Sequence, residues 1–147
     1  IQYMDESWLL LPFENYVGKL QDKEMNRKYY FIDNGVLALF LLDPATSLLE
    51  NIVAVSLRRK YGDECYFFNT PKAEVDFYIP GESKGIQVAY SIADSDTRKR
   101  ETDALLALSD YQDAQHLQIV TKDEEDTLEE KGKIISVIPL WKWLMSL

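Results

Sequence analysis

The sequence predicts one α/β (α+β) domain, a mixed β-sheet flanked by helices, and three features carry that expectation. Leu48, Leu49, Ile52, Val53, Ser56 and Leu57 recur at helical spacing. Cys65–Asn69, Glu74–Pro80 and Gly85–Ser91 are short runs rich in aromatic and β-branched residues, spaced so closely that an antiparallel meander is the simplest arrangement. Thr97 to Leu108, with Ala104, Leu105 and Leu108 on an inner face, then separates that meander from two more apolar runs, Leu117–Thr121 and Ile134–Ile138.

The elements follow in order. Ile1 to Glu6 reads as the end of a helix, and Trp8 to Leu11, stopped by Pro12, as a short apolar strand. Gln21 to Lys28 is polar and reads as a loop, and Tyr29–Ile32 as a strand bounded by the turn signal Asp33-Asn34-Gly35. Val36 to Leu42 reads as a short apolar helix stopped by Asp43-Pro44. The first long helix runs from Ser47 to a basic last turn, Arg58-Arg59-Lys60, with Gly62 as its stop. Residues 122–130 carry one base and six acids and read as a solvated loop or short helix. Trp141-Lys142-Trp143-Leu144 closes the chain, and this exposed end and an unpaired N-terminal strand together predict some self-association.

Composition bounds the function. At 147 residues the chain has the length of one ordinary domain, with 46% apolar and 28% charged residues, a globular balance. No apolar run reaches the eighteen or so residues of a membrane span, and no signal-peptide pattern is present. The chain starts at Ile1 rather than Met, as expected of a processed chain or a piece of something longer. A single cysteine, Cys65, makes no internal disulfide, which fits a reducing, cytoplasmic setting. It lies in an apolar run and reads as a core residue rather than a nucleophile. With His116 as the sole histidine no Cys/His zinc site can form, and His116 falls on the polar beat of a strand, where a solvent-facing role fits better than a catalytic one. The net charge of −9 disfavours nucleic acid as a partner, although Arg58-Arg59-Lys60 and Arg98-Lys99-Arg100 could form local positive patches. There is no Gly-rich phosphate loop, so no ATP site is expected in these residues.

Three polar positions stand out. Glu50 lies on the first long helix, Asp76 in the middle of the second meander strand and Gln87 in the middle of the third. Strict alternation puts Val75, Phe77 and Ile79 on one face of the second strand and Glu74, Asp76 and Tyr78 on the other. In the third, Ile86, Val88 and Tyr90 alternate with Gln87 and Ala89. A meander can set Asp76 beside Gln87, with Glu50 arriving from the packed helix, and clustered side-chain oxygens of this kind hold hard divalent cations.

On Lys28-Tyr29-Tyr30-Phe31-Ile32-Asp33-Asn34-Gly35, Leu49-Glu50-Asn51, Glu74-Val75-Asp76-Phe77 and Gly85-Ile86-Gln87-Val88-Ala89, the chain resembles the C-terminal domain of unknown function 4143 (DUF4143) of bacterial and archaeal AAA-type ATPases. The resemblance covers residues 28–147, and residues 1–27 resemble the tail of the winged-helix segment that precedes that domain. It implies a restriction-endonuclease-like, PD-(D/E)xK nuclease fold, in whose active members the helix glutamate, the strand aspartate and the first residue of (D/E)xK bind Mg²⁺ and a lysine two residues later activates water. Carried over, Glu50, Asp76 and Gln87 are the candidate catalytic and metal residues, for Mg²⁺ or Mn²⁺. The third motif departs, however: Gln87 has lost the acid's charge and Ala89 stands where the lysine should be. Losing one such electrostatic stabiliser costs on the order of 10²–10³ in rate, so the site reads as degenerate.

The resemblance thus implies an accessory domain that contacts the upstream ATPase and winged-helix domains of the same chain, with a second copy or weakly bound nucleic acid as further partners and no membrane. The alternative is a metal-dependent nuclease rescued by a migrated base, with Lys84, Lys99 or Arg100 as candidates. Plainer roles stand beside these. Ser47-Leu48-Leu49-Glu50 fits a capping box, Asp76 can pair with Lys72, Arg98 or Arg100, and Gln87 can hydrogen-bond across the sheet.

Overall fold

A computed structural model describes residues 9–17, 26–40 and 45–147. The expected helix end at Ile1–Glu6, Trp8, most of the polar loop from Gln21, and the Asp43-Pro44 stop lie outside the described residues. Leu10–Phe13 (β1) and Lys28–Phe31 (β2) form a two-stranded antiparallel ribbon. The N-terminal strand expected to stand alone is therefore paired, and Lys28, assigned to a loop on composition, belongs to β2. Asn34–Ala38 (α1) is capped by Asp33, whose carboxylate accepts from the amides of Gly35 and Val36.

The main sheet has six strands, with spatial order β3-β4-β5-β6-β8-β7. Tyr66–Thr70 (β3), Ala73–Ile79 (β4) and Lys84–Val88 (β5) are the expected antiparallel meander. Helix α3, Ser95–Gln112, carries the chain over to His116–Thr121 (β6), which runs parallel to β5 and to Lys133–Pro139 (β8). Asp126–Glu130 (β7) completes the sheet as an antiparallel edge strand, and Leu140–Ser146 (α4) ends the chain. The acidic run is thus part strand rather than loop or helix. Leu128 buries against the core while its charged neighbours line an outer edge that repels further pairing, and Lys131 and Gly132 make the hairpin turn with positive φ.

Helix α2, Ala45–Tyr61, buries Leu49, Val53 and Leu57 at four-residue intervals, with Asn51 and Ala54 beside them. The sheet separates two cores. One, on the α2 side, gathers Phe13, Tyr30, Val53, Leu57, Phe77, Ile79, Ile86 and Trp143. The other, on the α3 side, gathers Phe68, Val75, Leu105, Leu108, Leu117, Ile119 and Ile135. Gly85 is buried under α3, and a Cβ there would lie 2.4 Å from Leu108, so glycine permits the close approach.

Val75 and Phe77 do not share a face, contrary to strict alternation. Between Tyr66 and Phe68 the β3 strand advances two residues while β4 advances three, from Tyr78 to Val75. That extra residue is a β-bulge, and it sends Val75 to the α3-side core and Phe77 to the α2-side core. Asp76 sits at the bulge.

Candidate functional site

The β4–β5 ladder ends at the pair Phe77–Ile86, and beyond it side chains replace the backbone pairing. The amide N–H of Asp76 donates to Gln87 Oε1 at 2.8 Å, and the N–H of Val88 donates to Asp76 Oδ2 at 2.9 Å. Gln87 Nε2 donates to the Glu74 carbonyl at 3.1 Å and to Glu101 Oε2 at 2.8 Å. Beyond the end of the β4–β5 ladder, Asp76 and Gln87 therefore satisfy peptide groups that would otherwise be buried unpaired.

The split opens a cleft of about 610 Å³, lined by α2 (Glu50), β4 (Glu74, Asp76), β5 (Gln87) and α3 (Arg100, Glu101). The three residues singled out in the sequence are thus brought to one place. Glu50 accepts from Tyr30 Oη at 2.7 Å. Burial, reinforced by that carboxylate, raises the Tyr30 phenol far above its ordinary range, so it remains a donor. The capping-box role for Glu50 does not hold, because α2 already includes Ala45 and Ser47 is its third residue.

The cation beside Asp76 is one the sequence did not mark. Lys28 Nζ, from β2, lies 3.5 Å from Asp76 Oδ1 and 2.5 Å from Glu74 Oε1, and 5.5 Å from the centre of the Phe67 ring. Of the partners expected for Asp76, Lys72 and Arg100 border the cleft, but Arg100 is bound to Glu101 at 2.6 Å and Arg98 to Asp126 at 3.0 Å. Of the candidate migrated bases, Lys84 is paired with Glu82 and Lys99 borders a different groove, between α3 and the β7–β8 turn. The first basic cluster also loses a member to the interior, since Arg58 packs over the Phe13 ring and bonds the Pro12 carbonyl and Asp63.

Burial and then the Glu50 carboxylate push Asp76 up to about 7, against the opposing pull of Lys28 and of the Val88 N–H. For Lys28, burial alone would lower the ammonium's pKa, but Asp76, Glu74 and Glu50 outweigh it and the net shift is upward. Cys65 is buried and its thiol is pushed up to about 12 by that burial, as suits a core residue rather than a nucleophile. His116 is exposed at the first position of β6.

Glu101 is, with Lys28, a site residue that sequence reasoning missed. It is 6% exposed, and its two oxygens hold Arg100 and Gln87. The signal was present: Glu101 lies three, four and seven residues before Ala104, Leu105 and Leu108, a polar member of an apolar stripe.

A divalent ion does not fit these residues as they stand. The Gln87 oxygen is turned to the β4 backbone, Asp76 is engaged by Val88 and Lys28, and Glu50 is engaged by Tyr30. Among the described residues, no three His, Cys, Asp or Glu side chains converge on a metal-holding geometry. Also among them, no helix is long and apolar enough to cross a membrane.

The chain is 27% identical over 156 residues to an uncharacterized protein, MJ1544, of Methanocaldococcus jannaschii; the match covers 99% of this chain and 35% of that protein. It therefore spans about a third of the length of the curated relative it matches. No solved structure matches. The family described as domain of unknown function (DUF4143) matches residues 45–143, a span that includes Glu50, Asp76, Gln87 and Glu101, and the chain belongs to that family.

Proposed function

We propose that this chain is a non-catalytic accessory domain of a longer protein, with a restriction-endonuclease-like fold whose cleft has passed from chemistry to structure. The supporting observation is the use made of Gln87: its amide bonds the Asp76 N–H, the Glu74 carbonyl and Glu101, so the side chain in the position of the third metal ligand closes a gap in the sheet. Ala89, two residues on, is buried and supplies no positive group. The domain's work is then contact: with upstream ATPase and winged-helix domains of the same chain, or with a second copy. The apolar side chains Trp141, Leu144 and Met145, exposed on α4, offer surface for such contacts.

A second reading, a metal-dependent nuclease, gains one observation, since Lys28 brings a cation to Asp76 from outside the motif. It requires Gln87 to abandon three hydrogen bonds. An assay of single- and double-stranded DNA with Mg²⁺ or Mn²⁺ separates the two. No cleavage above the background of Asp76→Ala is expected; cleavage that Asp76→Ala abolishes would establish the nuclease.

A further inference from the structure

Five carboxylates line the cleft, Glu50 from α2, Glu74 and Asp76 from β4, and Glu101 and Asp103 from α3, of which Glu101 is already balanced by Arg100. Of the two that pair with Lys28, Asp76 is the more enclosed, with its side chain 18% exposed against 49% for Glu74. Carboxylates gathered in a half-buried cleft require a counter-charge, because each disfavours ionisation of the others. Lys72 and Arg100 line the cleft itself, Arg100 bound to Glu101, but the cation in contact with Asp76 and Glu74 is the Lys28 ammonium, 27% exposed, which reaches them from an adjoining groove.

Lys28 is held there from behind. Asn51, on α2, clasps both backbone groups of Phe31, accepting from its N–H at 2.8 Å and donating to its carbonyl at 2.8 Å. Tyr30 is tied to Glu50, and β1 pairs along β2 so that Phe13 faces Lys28 in register. The ribbon that delivers the ammonium is thus fastened to the helix that delivers Glu50. The stretches Lys28-Tyr29-Tyr30-Phe31 and Glu50-Asn51 act as one device.

We infer that the Lys28 ammonium is the built-in cation of the Asp76–Glu74 pair, tethered where these two carboxylates would otherwise recruit a divalent ion from solution. The inference rests on the non-catalytic reading above and gives the reason for it. A tethered monovalent charge balances the carboxylates without an open coordination position, so it supplies neither a bound water nor a Lewis acid. It also excludes a second cation, since two positive charges a few ångströms apart in a partly desolvated cleft repel strongly.

The test is Mn²⁺ uptake at pH 8, read from the loss of the free-ion electron paramagnetic resonance signal, for the wild-type chain, Lys28→Met, Lys28→Gln and Lys28→Met/Asp76→Asn. Lys28→Gln keeps a polar end for Asp76 and serves where the methionine variant folds poorly; circular dichroism identifies the folded variants. The wild-type chain is expected to take up no Mn²⁺ at submillimolar concentration. The single variants are expected to bind at least about tenfold more tightly, and the double variant to lose the gain. Wild-type uptake equal to that of the variants, or folded Lys28 variants that take up none, would overturn the inference. The latter result, with wild-type chain still inert toward DNA, would leave the non-catalytic reading standing; Asp76-dependent cleavage by the wild type would remove that reading itself.

Discussion

Replacing Asn51 with leucine is expected to lower stability by about 3–5 kcal/mol, a large share of what a domain of this size has. Asn51 is 1% exposed, and leucine has a similar branched outline but is bulkier, so the change leaves no cavity and adds some overpacking. What it removes is polar. The Phe31 N–H and carbonyl lose their side-chain partners, and Asn34 Oδ1 loses a donor at 2.7 Å. Each buried group stranded in this way costs about 1–3 kcal/mol. Urea unfolding measures the effect: the midpoint should fall sharply with the slope unchanged. A loss below about 1 kcal/mol would mean that the ribbon is not fastened to α2 through this residue.

Asp76 is expected to make the domain less stable as pH rises from about 4 to about 7, the reverse of the usual behaviour of a paired carboxylate. Its folded pKa of about 7 lies above its ordinary 3.8, because burial and Glu50 disfavour the charged form more than Lys28 and the Val88 N–H favour it. Between those two values the folded state holds more protons than the unfolded state, so stability is full below the lower value and declines through the upper one. One such group gives a slope of at most about 1.4 kcal/mol per pH unit. Asp76→Asn should flatten this stretch of the stability–pH curve while leaving the behaviour below pH 4 unchanged. A parent curve that rises over the same interval would mean that the Lys28 pairing dominates and that the carboxylate is charged throughout.

Much of this architecture can be read from the residues because its signals are local. The spacing of Leu49, Val53 and Leu57 marks α2, and the short links at Thr70–Ala73 and Gly81–Lys84 mark the meander. Asp76 and Gln87 stand out as polar groups inside apolar strands, and the structure gathers them with Glu50. The features that escaped are those with no local signature. The bulge in β4 falls in Glu74-Val75-Asp76-Phe77, where no glycine or proline marks it and strict alternation looks satisfied. It shows only in the pairing of β4 with β3 and in the two cores to which Val75 and Phe77 go. β7 was hidden by its charge, since a single Leu128 among acids gives no strand period, although Lys131-Gly132 was a usable turn signal. The position of Lys28 depends on the pairing of β2 with β1 and on the Asn51 clasp, contacts that span tens of residues. Nothing in its polar neighbourhood distinguishes it from a solvated loop lysine.

The most direct measurement is a crystal structure of the wild-type chain soaked in Mn²⁺, with anomalous diffraction used to locate manganese. No anomalous peak is expected in the cleft, with the Lys28 ammonium lying between Asp76 and Glu74 and the Gln87 amide turned to β4. A manganese peak within about 2.1 Å of carboxylate oxygens of Asp76 and Glu50, with Lys28 swung aside, would contradict the assignment of this cleft as non-catalytic.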